Sequence, residues 1–322
     1  MRRADSGQAD GAPAVTPAEA GYRRRLALVN AGLEAVLPGL SVEPKRLHEA
    51  MRHAVFAGGG GKRLRPVILL TVAADLGLPE DRALPAAMAL ELLHNYSLVH
   101  DDLPCMDDAR LRRGAPSVQA AFGYTDAVLA GDALLTLAFE VLGRAGNSGL
   151  PRPGDLVVEL ALAGGSVGMV GGQHADLDHT GVSAARLGSG GENSVLAVHR
   201  LKTARLFGFA FTAAGYLAVG AGHPAAAPGS ATAVPRADLG RVIEKLRAAG
   251  ESFGLAFQVL DDIRDAAEDG QAPNYAKTAG VEKARQVALD LSSRCQEVLQ
   301  AAVGEASEIL QLVREAVREM GL

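Results

Sequence analysis

The sequence predicts an all-α protein, a large bundle of helices, and three observations carry that reading. Leucine and alanine recur at helical spacing almost throughout, alternating β-branched runs are hard to find, and glycine and proline gather at the joins between periodic stretches. Of 322 residues, 48% are hydrophobic, enough for a sizeable core.

Residues 1–20 carry charge but no apolar run of the signal-peptide kind, so they read as a disordered tail before a single domain over 21–322. Periodicity then predicts helices over about Ala18–Leu37 and Pro44–Ala57, the second closed by the glycine run Gly58–Gly61. Leu64–Leu76 and Leu84–Leu103 follow, then a turn at Arg113–Pro116, Thr125–Leu142 and Pro153–Gln173. Beyond the join around Gly188–Gly191 come Ser194–Val219, a low-complexity loop over Gly222–Pro235, Asp238–Asp265, and two more helices from Val281 to the end. No internal repeat of fixed period is evident. The uncharged stretch Leu206–Gly222 is almost long enough to span a bilayer, but its glycine and alanine content favours a buried core helix, with no stable membrane insertion. A net charge of −5 shows no basic excess and suggests no nucleic-acid surface. Cys105 and Cys295 are too few for a disulfide framework and fit a reducing cytoplasm.

The stretch SLVHDDLPCMDD sets Asp101, Asp102, Asp107 and Asp108 among apolar residues. Like charges so close repel, and a cation among them relieves that. Far downstream, DDIRD places Asp261 and Asp265 four apart on one helix face with Asp262 beside them, hard oxygens of the kind that suit Mg²⁺. Asp101 and Asp107 share no regular helix face, but Pro104 should force a loop able to bring them together. Two facing acidic clusters imply a diphosphate between them. GGGGKRLRP offers Lys62, Arg63 and Arg65 at a helix start, where backbone N–H groups and cations favour phosphate. Arg112, Arg113 and Lys202 are further cations, and His94 lies two turns before Asp101 on much the same face.

Taken in order, GGGGKRLRP, ELLHNYSLVHDDLPCMDDARLRRG, AVLAGDALLTLAFE, GMVGGQHADL, HRLKT and FGLAFQVLDDIRD resemble the all-trans polyprenyl diphosphate synthase family of the bacterial farnesyl and geranylgeranyl type. The resemblance runs from about Tyr22 to the C-terminus. It implies an isoprenoid-synthase bundle of long helices around a deep central cavity, working as a homodimer. It further implies Mg²⁺ held by Asp101, Asp107, Asp261, Asp262 and Asp265, and isopentenyl diphosphate held by Lys62, Arg65, His94 and Arg113. Arg112, Lys202, Thr203 and Gln258 would contact an allylic diphosphate, dimethylallyl or geranyl. Asp101, Asp102, Lys202, Thr203, Gln258 and Asp261 are the residues it implies for the chemistry. The expected reaction is ionisation of the allylic C–O bond and attack by the isopentenyl double bond.

The family's bulky aromatic five residues before the first aspartate is Tyr96 here, with the small Ser97 next to it and Leu93 a turn away, so the resemblance implies farnesyl diphosphate (C15), with geranylgeranyl diphosphate (C20) as runner-up. Three departures stand out. The loop after Asp265 lacks the family's two lysines, with Ala272 at the second position and Lys277 read as a surface lysine; Gln119 replaces a family histidine; and Arg264 sits inside the second acidic cluster, where it can pair with a neighbouring carboxylate. The missing lysines keep a weakly catalytic partner subunit as an alternative. A terpene cyclase is a third, although it would not need GGGGKRLRP for a second diphosphate.

Overall fold

The computed structural model describes residues 16–178, 182–220, 239–267 and 274–320. Most of them are helical. The order is α1 Pro17–Val36, α2 Lys45–Phe56, α3 Leu64–Asp75, α4 Glu80–Asp101, a two-stranded ladder β1 Leu111–Arg112 and β2 Ala115–Pro116, α5 Val118–Phe122, α6 Tyr124–Asn147, α7 Pro153–Gly164 and α8 Met169–Asp176. After these come α9 Val182–Gly188, α10 Gly191–His199, a π-helical turn Arg200–Ala204, α11 Arg205–Gly220, α12 Leu239–Arg264, α13 Tyr275–Ala279, α14 Val281–Val303 and α15 Glu308–Glu319. Residues 1–15 and the loop 222–235 lie outside the described residues, as does Ala272. The first helix already begins at Pro17, so the last four residues assigned to the tail are its opening turn: Thr16 caps it by accepting from the Glu19 N–H at 3.1 Å, and Pro17 sits where its missing N–H does no harm.

α4 is the centre of the bundle and explains why its side chains define the interior. It packs against α3, α6 and α11 and is buried from Ala83 to Val99 with few interruptions. α3 supplies a continuous buried run from Val67 to Ala73, apolar except for Thr71, and α11 brings Phe207, Phe209 and Phe211, so Leu206–Gly220 is a core helix as its composition predicts. α1 and α15 are clamped at one end. Arg25 pairs with Glu80 at 2.7 Å and also with Glu308, while Asp75 accepts the first N–H groups of α15, Glu308 at 3.1 Å and Ile309 at 2.8 Å.

Two predicted helices are broken. Pro153–Gln173 divides at Gly165–Gly168, where the chain doubles back on itself: a Cβ on Gly168 would overlap the Ala163 and Leu162 carbonyl oxygens. Ser194–Val219 is interrupted by the π turn, closed by the Arg205 N–H on the Arg200 carbonyl. Periodicity is blind to both, because neither changes the spacing of apolar residues enough to register.

A buried ion pair fixes the glycine run ahead of α3. Arg63, at φ 48°, turns inward instead of toward solvent, donating to Glu91 at 2.7 Å and to Asn30 at 3.2 Å, with both charged groups almost wholly buried. Its guanidinium lies against the bare Cα of Gly60, where a Cβ would collide with it. Replacing Glu91 with Ala therefore strands a buried guanidinium and is expected to lower the unfolding free energy by about 3–5 kcal/mol in urea titration. The same change at Glu140, partner of Arg144 in an exposed i,i+4 pair, should stay within about 0.5 kcal/mol, and equal losses would refute the distinction.

Candidate active site

A cavity of about 630 Å³ opens between α3, α4, α8, the π turn, α11 and α12. The last turns of α4 deliver His94, Tyr96, Ser97, His100 and Asp101 into it, α12 brings Gln258 and Asp261, α8 brings Gln173 and His174, and Arg65, Arg112, Lys202 and Thr203 add to its polar lining.

The first acidic cluster folds back as Pro104 predicts. α4 ends at Asp101, the Asp107 N–H donates to the Asp101 carbonyl at 2.9 Å, and the Asp108 N–H, with Asp108 at φ 47°, returns to Leu103 at 3.1 Å. Asp107 is thereby held next to Asp101 on an exposed loop. Gln119 stitches that loop from α5, its Nε2 donating to the carbonyls of Asp102 at 2.5 Å and Ala109 at 3.2 Å and to Asp108 Oδ1 at 3.3 Å. Burial pushes the Asp101 carboxyl up to about 6, against the pull of Lys202. Asp102 does not line the cavity: it is buried and takes the Arg112 guanidinium, with Nε at 3.0 Å from Oδ1, and so fastens Arg112.

In the second cluster Asp261 lines the cavity and is raised by burial, with Arg264 pulling the other way from 3.2 Å. Asp265, one turn on, is exposed. Asp262 lies 100° round the helix and faces away. Its Oδ2 accepts from His199 Nε2 at 2.8 Å and from the Tyr275 N–H at 2.5 Å, and its Oδ1 from Gln258 Nε2 at 3.2 Å. With both oxygens engaged, Asp262 lies off the cavity wall and orients Gln258, whose Oε1 in turn accepts from Thr203 Oγ1 at 2.9 Å.

On the cationic side Arg65 is partly buried, its guanidinium over the Phe207 ring, 4.4 Å from its centre, and Nη1 donates to His94 Nε2 at 3.3 Å. Burial lowers the Arg65 guanidinium to about 10, and burial with Arg65 beside it holds His94 well below the usual histidine range, hence neutral. Among the described residues no carboxylate pairs with Arg65. Arg113 and Lys62 are not on the cavity wall. Arg112, Arg113 and Gly114 form a tight hairpin, with Arg113 at φ 54° and Gly114 at φ 76°, which sends successive arginines to opposite sides. Arg113 lies against Gly61 and donates to the Gly60 carbonyl at 2.7 Å. Lys62 is exposed, with Glu319 at 4.0 Å.

Lys202 and Thr203 stand on the π turn, whose irregularity aims both at the cavity. Lys202 Nζ is held by Asp176 at 2.5 Å. Asp176 and Gln173, both in the GMVGGQHADL stretch, are site residues to which the sequence assigned no role; the i,i+3 spacing of polar residues between Met169 and Leu177 was the available signal. Lys277 is exposed on α13.

A family model described as polyprenyl synthetase matches residues 44–320. The heterodimeric geranylgeranyl pyrophosphate synthase large subunit 1 of Arabidopsis thaliana is 37% identical over 292 residues, 84% of this chain and 71% of its own. A geranylfarnesyl diphosphate synthase of Leucosceptrum canum is 37% identical over 295 residues, 85% of this chain and 72% of its own. Among solved structures, an FPP/GFPP synthase from Zymomonas mobilis superposes with a TM-score of 0.76 at 33% identity, covering 93% of this chain and 98% of that one. A geranyltranstransferase from Thermotoga maritima gives 0.73 at 28% identity, with the same coverages.

The raised Asp101 carboxyl makes a prediction about the metal-free protein. Above about pH 6 it is ionised in folded and unfolded chains alike, and burial penalises it only when folded; the penalty fades as pH falls through 6 toward its ordinary 3.8. Asp101→Asn should melt higher than wild type at pH 8 in a chelator, and the advantage should vanish below about pH 4. A lower melting temperature for the variant at every pH would contradict a burial penalty on the Asp101 carboxylate.

Proposed function

The chain belongs to the polyprenyl synthetase family and is a short-chain prenyl diphosphate synthase; on that premise we propose that it condenses isopentenyl diphosphate with an allylic diphosphate to farnesyl diphosphate (C15), using Mg²⁺. The carrying observation is a single apolar-walled cavity that holds half-buried acids from two helices, Asp101 and Asp261, together with a half-buried guanidinium, Arg65, that among the described residues no carboxylate pairs with.

Among the described residues no three acid, histidine or cysteine side chains form a ready-made metal nest. That suits Mg²⁺, which keeps open positions and is shared between one or two carboxylates and substrate phosphate oxygens. Asp101 and Asp261 would hold it, with Asp107 and Asp265 the nearest further carboxylates. Bound there, it would neutralise charge on the leaving pyrophosphate. Arg112 and Lys202 draw on the same diphosphate, Thr203 is fixed by Gln258 and Asp262, and Arg65 with neutral His94 receives the isopentenyl diphosphate. Met169, Leu206 and Phe257 line the cavity and keep water from the allylic cation.

Tyr96 supports the C15 product. It is buried in the cavity wall and its ring stands edge-on to His100, with centres 5.2 Å apart, which supports reading it as the floor. The activities of the relatives, geranylgeranyl and geranylfarnesyl diphosphate synthesis, support a longer product as the second reading. Exposed apolar side chains on α6, α7 and the turn after it, Leu129, Val158, Leu162 and Val167, support a second copy of this chain as partner.

Incubation with isopentenyl diphosphate and each allylic starter in turn, read as product chain length, tests the proposal. The expected main product is C15. Tyr96→Ala should shift it to C20 or longer, and an unchanged length under saturating isopentenyl diphosphate would remove Tyr96 as the floor. Asp101→Ala and Asp261→Ala should each lower turnover by roughly 10²–10⁴ with helical circular dichroism intact; near-normal turnover in either would exclude that residue from the metal set.

A further inference from the structure

Gln173 is unusual among the described residues. Both polar atoms of its side chain, Nε2 and Oε1, are buried and neither has a hydrogen-bond partner, yet the residue lines the cavity. A buried amide left unpaired destabilises a folded protein, and its retention calls for an explanation. Its place in the fold supplies one. Met169 and Val170, a turn earlier on α8, belong to the apolar wall, while Asp176, a turn later, grips Lys202. The neighbouring Gly172 has its bare Cα against the Lys202 backbone, where a Cβ would overlap the backbone N, so α8 and the π turn are locked together at this level. The amide therefore stands at the border between the apolar part of the cavity and its charged end.

We propose that Gln173 is a substrate-binding residue whose unpaired amide is satisfied by the ligand, Nε2 donating to an oxygen of the allylic diphosphate. The assignment rests on the cavity taking a diphosphate. The competing role is structural, an amide that only helps α8 pack on the π turn.

Gln173→Leu separates the two, since it keeps the size of the side chain and removes the polar atoms. In the metal-free, ligand-free protein the variant should melt at or above the wild-type temperature, because an unsatisfied buried group has been removed. Its affinity for inorganic pyrophosphate with Mg²⁺, measured by calorimetry on the whole chain, should fall about tenfold, and the KM for the allylic substrate should rise. Gln173→Glu, which sets a carboxylate against the diphosphate, should weaken pyrophosphate binding further. A Gln173→Leu protein that binds pyrophosphate as wild type does would overturn the assignment, and so would one that melts well below wild type. If the wild-type protein itself takes no pyrophosphate with Mg²⁺, it is the diphosphate cavity that fails.

Discussion

Burying charge without neutralising it is the constraint on which this architecture depends. Asp101 and Asp261 are drawn into the same cavity as Arg65, His94 and Lys202, and burial pushes each carboxyl up and lowers Arg65 and His94. Direct pairing of the opposite signs would relieve the strain and fill the cavity with its own ion pairs. The fold prevents this by giving the neighbouring charges other partners: Arg63 goes to Glu91, Arg112 to Asp102, Lys202 to Asp176, and Asp262 to His199 and Gln258. Each fastening is buried or partly buried and holds one wall in place. What remains, Asp101, Arg65 and an Asp261 tied only to the exposed Arg264, is what a diphosphate and a divalent cation together would complete.

Local backbone irregularities make these placements possible. The glycine run before α3 lets two guanidinium groups, of Arg63 and Arg113, lie against bare Cα atoms, and the left-handed hairpin at Arg113–Gly114 splits adjacent arginines between cavity and glycine run. The π turn at Arg200–Ala204 sets Lys202 and Thr203 side by side on the cavity wall. Two of the chain's departures from the family pattern have structural roles here. Gln119 fastens the loop carrying the first acidic cluster, and Arg264 pairs with Asp261.

The bundle was legible because apolar periodicity reports burial, and α4 buries nearly every face. The loop after Asp101 was legible too, since Pro104 cannot continue a helix and the acidic residues on either side had to meet. Direction was harder to read. Asp262 is adjacent to Asp261 yet turned 100° away, Asp102 adjacent to Asp101 yet committed to Arg112, and Arg63 is turned inward between two exposed or cavity-facing neighbours. Such choices are decided by partners distant in sequence, which a motif cannot name. The break at Gly165–Gly168 and the unpaired amide of Gln173 depend on close approach in three dimensions and leave no periodic trace.

Thermal unfolding with Mg²⁺ and inorganic pyrophosphate, added separately and together, tests the central claim most directly. Neither ion alone satisfies both the half-buried acids and the half-buried guanidinium, whereas the two together do, and ligand held only by the folded chain stabilises it by mass action. The melting temperature should rise more with both than the sum of the separate shifts. Strictly additive shifts, or none, would contradict a cavity whose opposite charges are completed jointly by metal and diphosphate.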